Sequence, residues 1–165
     1  MLTVRQNGTW LGNSTVWTDA ANWCNGVPTT STDAILPNGV TFYPAINAGT
    51  VSVNDITLAS AASVTVSNAT MRISGIITNS GVMNFVNGNL ELNGASLQTI
   101  AGSSFYQRTL NGFVVSNPAG VNIASTANDT LNVTGFIRFG NVNNVTLNTG
   151  DNLALKSSAT ATARV

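Results

Sequence analysis

Six carboxylates are the residues of this chain best suited to chemistry: Asp19, Asp33, Asp55, Glu91, Asp129 and Asp151. Hydrolysis or elimination on a polysaccharide needs two or three such groups, or one with Arg or Lys, converging on one surface. Here they are scattered. Asp55 and Asp129 fall among turn residues, Asp151 precedes an apolar triplet, and Glu91 alone sits within one. Glu91 lies 19 residues after Arg72, which suggests an ion pair between neighbouring strands rather than a catalytic pair. Histidine is absent, which removes the common general base and the usual partner of a Ser or Cys nucleophile. Cys24 is the one cysteine, so neither an intrachain disulfide nor a cysteine-based zinc site can form. No phosphate-cradling loop and no glycine-rich calcium nonapeptide occur; Asp19 or Asp33 with loop carbonyls are the remaining candidates for a calcium ion. The expectation is a protein that is not an enzyme and takes no cofactor.

Aromatic side chains offer a second kind of chemistry, stacking on sugar rings. Trp10, Trp17 and Trp23 are spaced by seven and six residues in a turn-rich segment, and they are the candidate ligand-binding residues for a carbohydrate. The other reading makes them the core of a cap, since each indole can bury a large apolar area. Phe42-Tyr43-Pro44 and Phe105-Tyr106 are lesser platforms. Threonines arrayed at one position per coil could order surface water, but Thr57, Thr65, Thr99, Thr134 and Thr146 do not share a position in the repeat. Asparagine runs such as Asn141-Val142-Asn143-Asn144 suit stacked ladders at corners.

The elements that carry these residues follow from a repeat. An apolar–polar–apolar triplet returns as Val51-Ser52-Val53, Met71-Arg72-Ile73, Leu90-Glu91-Leu92, Phe113-Val114-Val115, Leu131-Asn132-Val133 and Leu153-Ala154-Leu155, at intervals of 20, 19, 23, 18 and 22 residues. Period-two alternation marks a strand with one buried face, and its return at near-constant spacing marks successive coils of a solenoid. Further apolar pairs follow each triplet, as in Ile56/Leu58, Ile76/Ile77, Leu97/Ile100 and Val121/Ile123, and in some coils a third pair such as Val64/Val66 or Val82/Phe85. Gly and Asn separate them, residues that turn corners at small cost. Three short strands of three to five residues per coil predict an all-β fold, a right-handed parallel β-helix of about six coils. A β-sandwich or jelly roll is the competing architecture.

Residues 1–48 read differently. They hold all three tryptophans and three of the four prolines, with short strand candidates at Leu2-Thr3-Val4 and Ala34-Ile35-Leu36. A solenoid needs an atypical segment over its first coil, so 1–48 is expected to be an N-terminal cap with the first coil, and 49–165 the remaining coils. The last coil, begun at Leu153, has neither capping helix nor aromatic plug, which suggests a module truncated from a longer chain. Charge is sparse and balanced, six basic against six acidic residues in 165, and 60 Asn, Thr and Ser residues make the surface polar instead. That composition lacks the basic stripe of a nucleic-acid or anionic-membrane binder, and no apolar run reaches membrane-spanning length.

Some of these residues carry a specific likeness. Thr9-Trp10-Leu11-Gly12, Trp17-Thr18-Asp19-Ala20-Ala21-Asn22-Trp23, Gly26-Val27-Pro28 and Asp33-Ala34-Ile35-Leu36 resemble the opening of repetitive modules in large secreted surface proteins of Bacteroidetes-type bacteria that use type IX secretion. Leu90-Glu91-Leu92-Asn93-Gly94, Gln98-Thr99-Ile100-Ala101-Gly102 and Asn117-Pro118-Ala119-Gly120-Val121 are similar to the coils of those modules. The resemblance implies an extracellular or cell-surface, adhesin-like β-helical segment with no catalytic residues. Its expected partners are other domains of a parent chain, surface glycans, and further copies through open solenoid ends.

Overall fold

The structure is a computed structural model that describes residues 5–140, 143–157 and 162–165. The strand expected at Leu2-Thr3-Val4, the first half of the Asn141–Asn144 run and residues 158–161 of the tail lie outside those residues. Thirteen strands are described: β1 (Ala34–Leu36), β2 (Ala45–Ile46), β3 (Thr50–Val53), β4 (Ile56–Leu58), β5 (Ser63–Ile73), β6 (Ile77–Asn79), β7 (Val82–Leu92), β8 (Gln98–Ile100), β9 (Thr109–Val115), β10 (Val121–Ile123), β11 (Leu131–Phe139), β12 (Leu147–Asn148) and β13 (Leu153–Leu155). All pairings between them are parallel, and the chain winds as a β-solenoid of about five turns.

Two walls of the solenoid come from one bent sheet, ordered β13-β11-β9-β7-β5-β2, with β3 also paired to β5. The third wall is divided into two three-stranded sheets, β1-β4-β6 and β12-β10-β8. The expectation of three short strands per coil is therefore corrected: β5 and β7 each run for 11 residues around a corner without leaving the ladder. The bend falls where Asn68 adopts a φ of 51° and where the register shifts between Ser67 and Thr70. Gly88 turns the same corner one coil later, and a Cβ there would collide with the Val66 carbonyl. Bending at one asparagine or glycine preserves the flanking hydrogen bonds, so two sequence-level strands become one.

Side chains of equivalent position stack through the interior. Val51, Met71, Leu90, Phe113 and Ile137 form one column, and Val53, Ile73, Leu92 and Val115 a second beside it. Every member is buried, and each such side chain contributes roughly 1.5–3 kcal/mol of transfer free energy. The columns correct the repeat register beyond Phe113. Leu131-Asn132-Val133 does not continue the first column; Asn132 and Val133 pair with Thr109 and Leu110, and Ile137 takes the place beside Phe113. Leu153-Ala154-Leu155 follows Leu131-Asn132-Val133 into that other half of the wall. Triplets of the same pattern occur on both halves of a long bent strand, so the pattern alone does not tell one half from the other.

The aromatic-rich first segment is hydrogen-bonded into the solenoid. Thr9 pairs with Ile35 and Val16 with Ala45, both parallel, while Trp10 and Trp23 form an antiparallel bridge that closes the cap. A three-residue 3₁₀ turn, Ala20–Asn22, is capped by the Asp19 side chain, which accepts from the Ala21 N–H. At the opposite end Arg164 pairs with Phe136. No helix among the described residues is long and apolar enough to cross a membrane.

Candidate functional site

The three candidate tryptophans come together, but inward. Trp10, Trp17 and Trp23 are 0%, 2% and 3% exposed. Trp23 meets the other two edge-on at centroid distances of 4.8 and 4.7 Å, and Trp10 lies 6.5 Å from Trp17 at a shallow interplanar angle. The Trp10 indole donates to the Phe42 carbonyl and the Trp23 indole to the Trp17 carbonyl, both at 2.7 Å. Asn22, itself fully buried, clamps the cap: its side chain donates to Ser14 Oγ and the Val16 carbonyl, and accepts from the Ser14 N–H. Sugar stacking needs an open ring face, and these rings spend their faces on one another and on the first coil. Of the lesser platforms, Phe105 is buried edge-on against Phe85, and Tyr43 is half-buried with its hydroxyl donating to the Pro37 carbonyl. Phe42 and Tyr106 are exposed.

Most of the carboxylates hold backbone in place. Asp33 accepts from the Asn54 side chain and the Asp55 N–H, and Asp55 accepts from the Ile76 N–H, so each acid ties its own corner to the next coil. Asp129 is nearly buried and accepts from the N–H and hydroxyl of Ser103 and from Arg108 at 3.2 Å. Glu91 pairs with Arg72 at 2.7 Å, as their spacing suggested, and its other oxygen accepts from Ser116 Oγ. Among the described residues no three potential ligands gather as a metal site. Cys24 is half-buried, with Sγ 3.6 Å from the Arg5 carbonyl.

Threonine placement differs from the sequence expectation in one wall. Thr57 pairs directly with Thr78, and both are exposed, with Thr99 at the matching outward position of β8 and Asn122 beside it. Thr78 was missed because the run Ile76-Ile77 obscured the phase of its strand. Asparagine contacts also stack at a corner: Asn89 reaches Thr70 Oγ1, and Asn111 reaches Asn89 Oδ1, each at 3.5 Å.

The most developed concavity opens where the third wall divides. The corner Ser74-Gly75-Ile76 has three residues, whereas Asn93–Leu97 in the next coil has five, so β8 is carried away from β6 and the two do not pair. Between them lies a cleft of about 370 Å³, walled by Ile76 and Leu97, which are 68% and 56% exposed. Gln98 closes its floor. Nε2 donates to the carbonyls of Ile73 and Gly75 at 3.0 and 2.9 Å, and Oε1 accepts from the Gly94 N–H and from Asn117 Nδ2, both at 2.9 Å. The buried Asn117 also donates to the Ser96 carbonyl and accepts from the Ala119 N–H. One side-chain amide thus does what a ladder does elsewhere, joining two coils through hydrogen bonds. Gln98 occupies a core position where apolar residues stand in β4 and β10, and that departure from the pattern was its only signal in the sequence.

These features give a stiff, polar-sided stack with structural carboxylates and an apolar-lipped lateral cleft. Comparison of the chain with protein-family models, with curated proteins and with solved structures finds no match.

Proposed function

We propose that this chain is a non-enzymatic structural and adhesive module, a stiff spacer or display rod of a secreted bacterial surface protein that associates end to end. The observation that carries this reading is the bent parallel sheet, whose ladder runs from β2 to β13 through two walls of the solenoid. Each coil extends both the backbone ladder and the apolar columns, so length is added with no disulfide and little charge. The capture of Asp33, Asp55 and Asp129 by backbone N–H groups supports the same reading, because those acids serve corner geometry. The likeness to Bacteroidetes-type surface modules adds the extracellular setting and the adjoining domains of a larger chain.

Stiffness is the property to test. Spin labels on Thr29→Cys and Lys156→Cys, in a Cys24→Ser background, would report the distance between the two ends of the stack. A single narrow distance distribution that persists in moderate urea is the expected result. A broad distribution under native conditions would remove the spacer reading.

A further inference from the structure

The N-terminal edge of the bent sheet carries hydrogen-bonding groups that the fold leaves unused. Trp17 is 2% exposed, yet its Nε1–H has no partner, whereas the indoles of Trp10 and Trp23 both donate to backbone carbonyls. A buried indole N–H normally finds an acceptor, and leaving one orphaned is costly. The Trp17 ring lines a cleft of about 280 Å³ whose opposite side is formed by β2, the Asn47-Ala48 turn and Val51 of β3. There β3 is an edge. The carbonyls of Gly49 and Val53 accept from Thr70 and Ser74 on the β5 side, so the alternate residues Thr50 and Ser52 turn their backbone groups the other way. Asn54 finds Thr32 on that outer side, but Thr50 and Ser52 take no backbone partner there among the described residues.

We propose that this cleft is a strand-acceptor site and that its occupant is the C-terminal edge of a second copy of the chain, with Trp17 donating to a carbonyl of the incoming strand. The proposal rests on the end-to-end association suggested above and names the surface that performs it. The occupant follows from the columns. Val51 heads the column that ends at Ile137, and the pairing of Arg164 with Phe136 sets Val165 next to Ile137. Displacement by one further coil along the same axis therefore sets Arg164 and Val165 of one copy beside Thr50 and Ser52 of the next. Exposed apolar groups occur at both ends: Val16 beside the cleft, and Phe139, Leu155 and Val165 at the far end, Val165 being 78% exposed. The contact is heterologous and does not close on itself, so it generates filaments.

Sedimentation of the 165-residue chain over a wide concentration range, with circular dichroism confirming the fold of each variant, tests the site. The wild-type chain is expected to form species that lengthen with concentration. Trp17→Phe keeps the ring and the backbone carbonyl that serves Trp23 but removes the donor, and should weaken association about tenfold. Ser52→Pro removes an N–H that faces away from β5, a position an edge strand tolerates, and should abolish association. Leu97→Ser, in the lateral cleft, should leave it unchanged. Equal association of wild type, Trp17→Phe and Ser52→Pro would overturn this site, as would loss on Leu97→Ser. A wild-type chain that stays monomeric throughout would overturn the second copy as occupant, while the spin-label distances judge the rod separately.

Discussion

Gln98 shows most clearly how single side chains hold this solenoid. Its amide satisfies two carbonyls, one N–H and one asparagine amide in a place where no ladder exists. Gln98→Leu preserves the volume and leaves those groups without partners in a site closed to water. We expect a loss on the order of 3 kcal/mol in urea unfolding, well beyond that of an ordinary surface change. Gly88→Ala tests a different residue-scale demand, since its Cβ would press on the rigid Val66 carbonyl of the previous coil. The expected cost is about 1–3 kcal/mol, read by the same denaturation curves. Arg72→Ala stands in contrast. The guanidinium is 46% exposed, so losing its contact with Glu91 should cost less than about 1 kcal/mol in the same assay.

At the scale of the elements, the central strands carry the core and the end strands do not. Phe113→Ala empties a fully buried position in the middle of its column, flanked by Leu90 and Ile137. A loss of about 3–5 kcal/mol is expected from thermal or urea unfolding. The column that defines this element was partly legible in the sequence. The spacing of Val51, Met71, Leu90 and Phe113 located four members, because alternation and repeat length agreed there. It failed at Leu131, whose triplet has the same appearance but lies before the corner rather than after it. A period of two encodes which face is buried, not which wall a strand belongs to. The tryptophans behaved likewise: their grouping was legible, but burial of all three rings depended on Asn22 and the closing bridge between Trp10 and Trp23. The lateral cleft was not legible at all, since it arises from two extra corner residues whose effect appears only when neighbouring coils are stacked.

For the whole molecule, each coil touches chiefly its neighbours, so local stability should vary along the stack rather than take one value. Amide hydrogen exchange is expected to be slowest in β5, β7 and β9, which have a coil on either side, and fastest in β13, which has β11 alone. Uniform protection from Val51 to Leu155 would contradict this nearest-neighbour account. The divided third wall has a mechanical consequence. Two walls are continuous strips, while the third is slit between β6 and β8 and laced by the amide of Gln98. A beam cut on one side is compliant in one plane only: loads that pry the slit open meet little resistance, and loads across it meet the full sheet. Tethered between two surfaces, such a rod would flex like a leaf spring, always toward the same side.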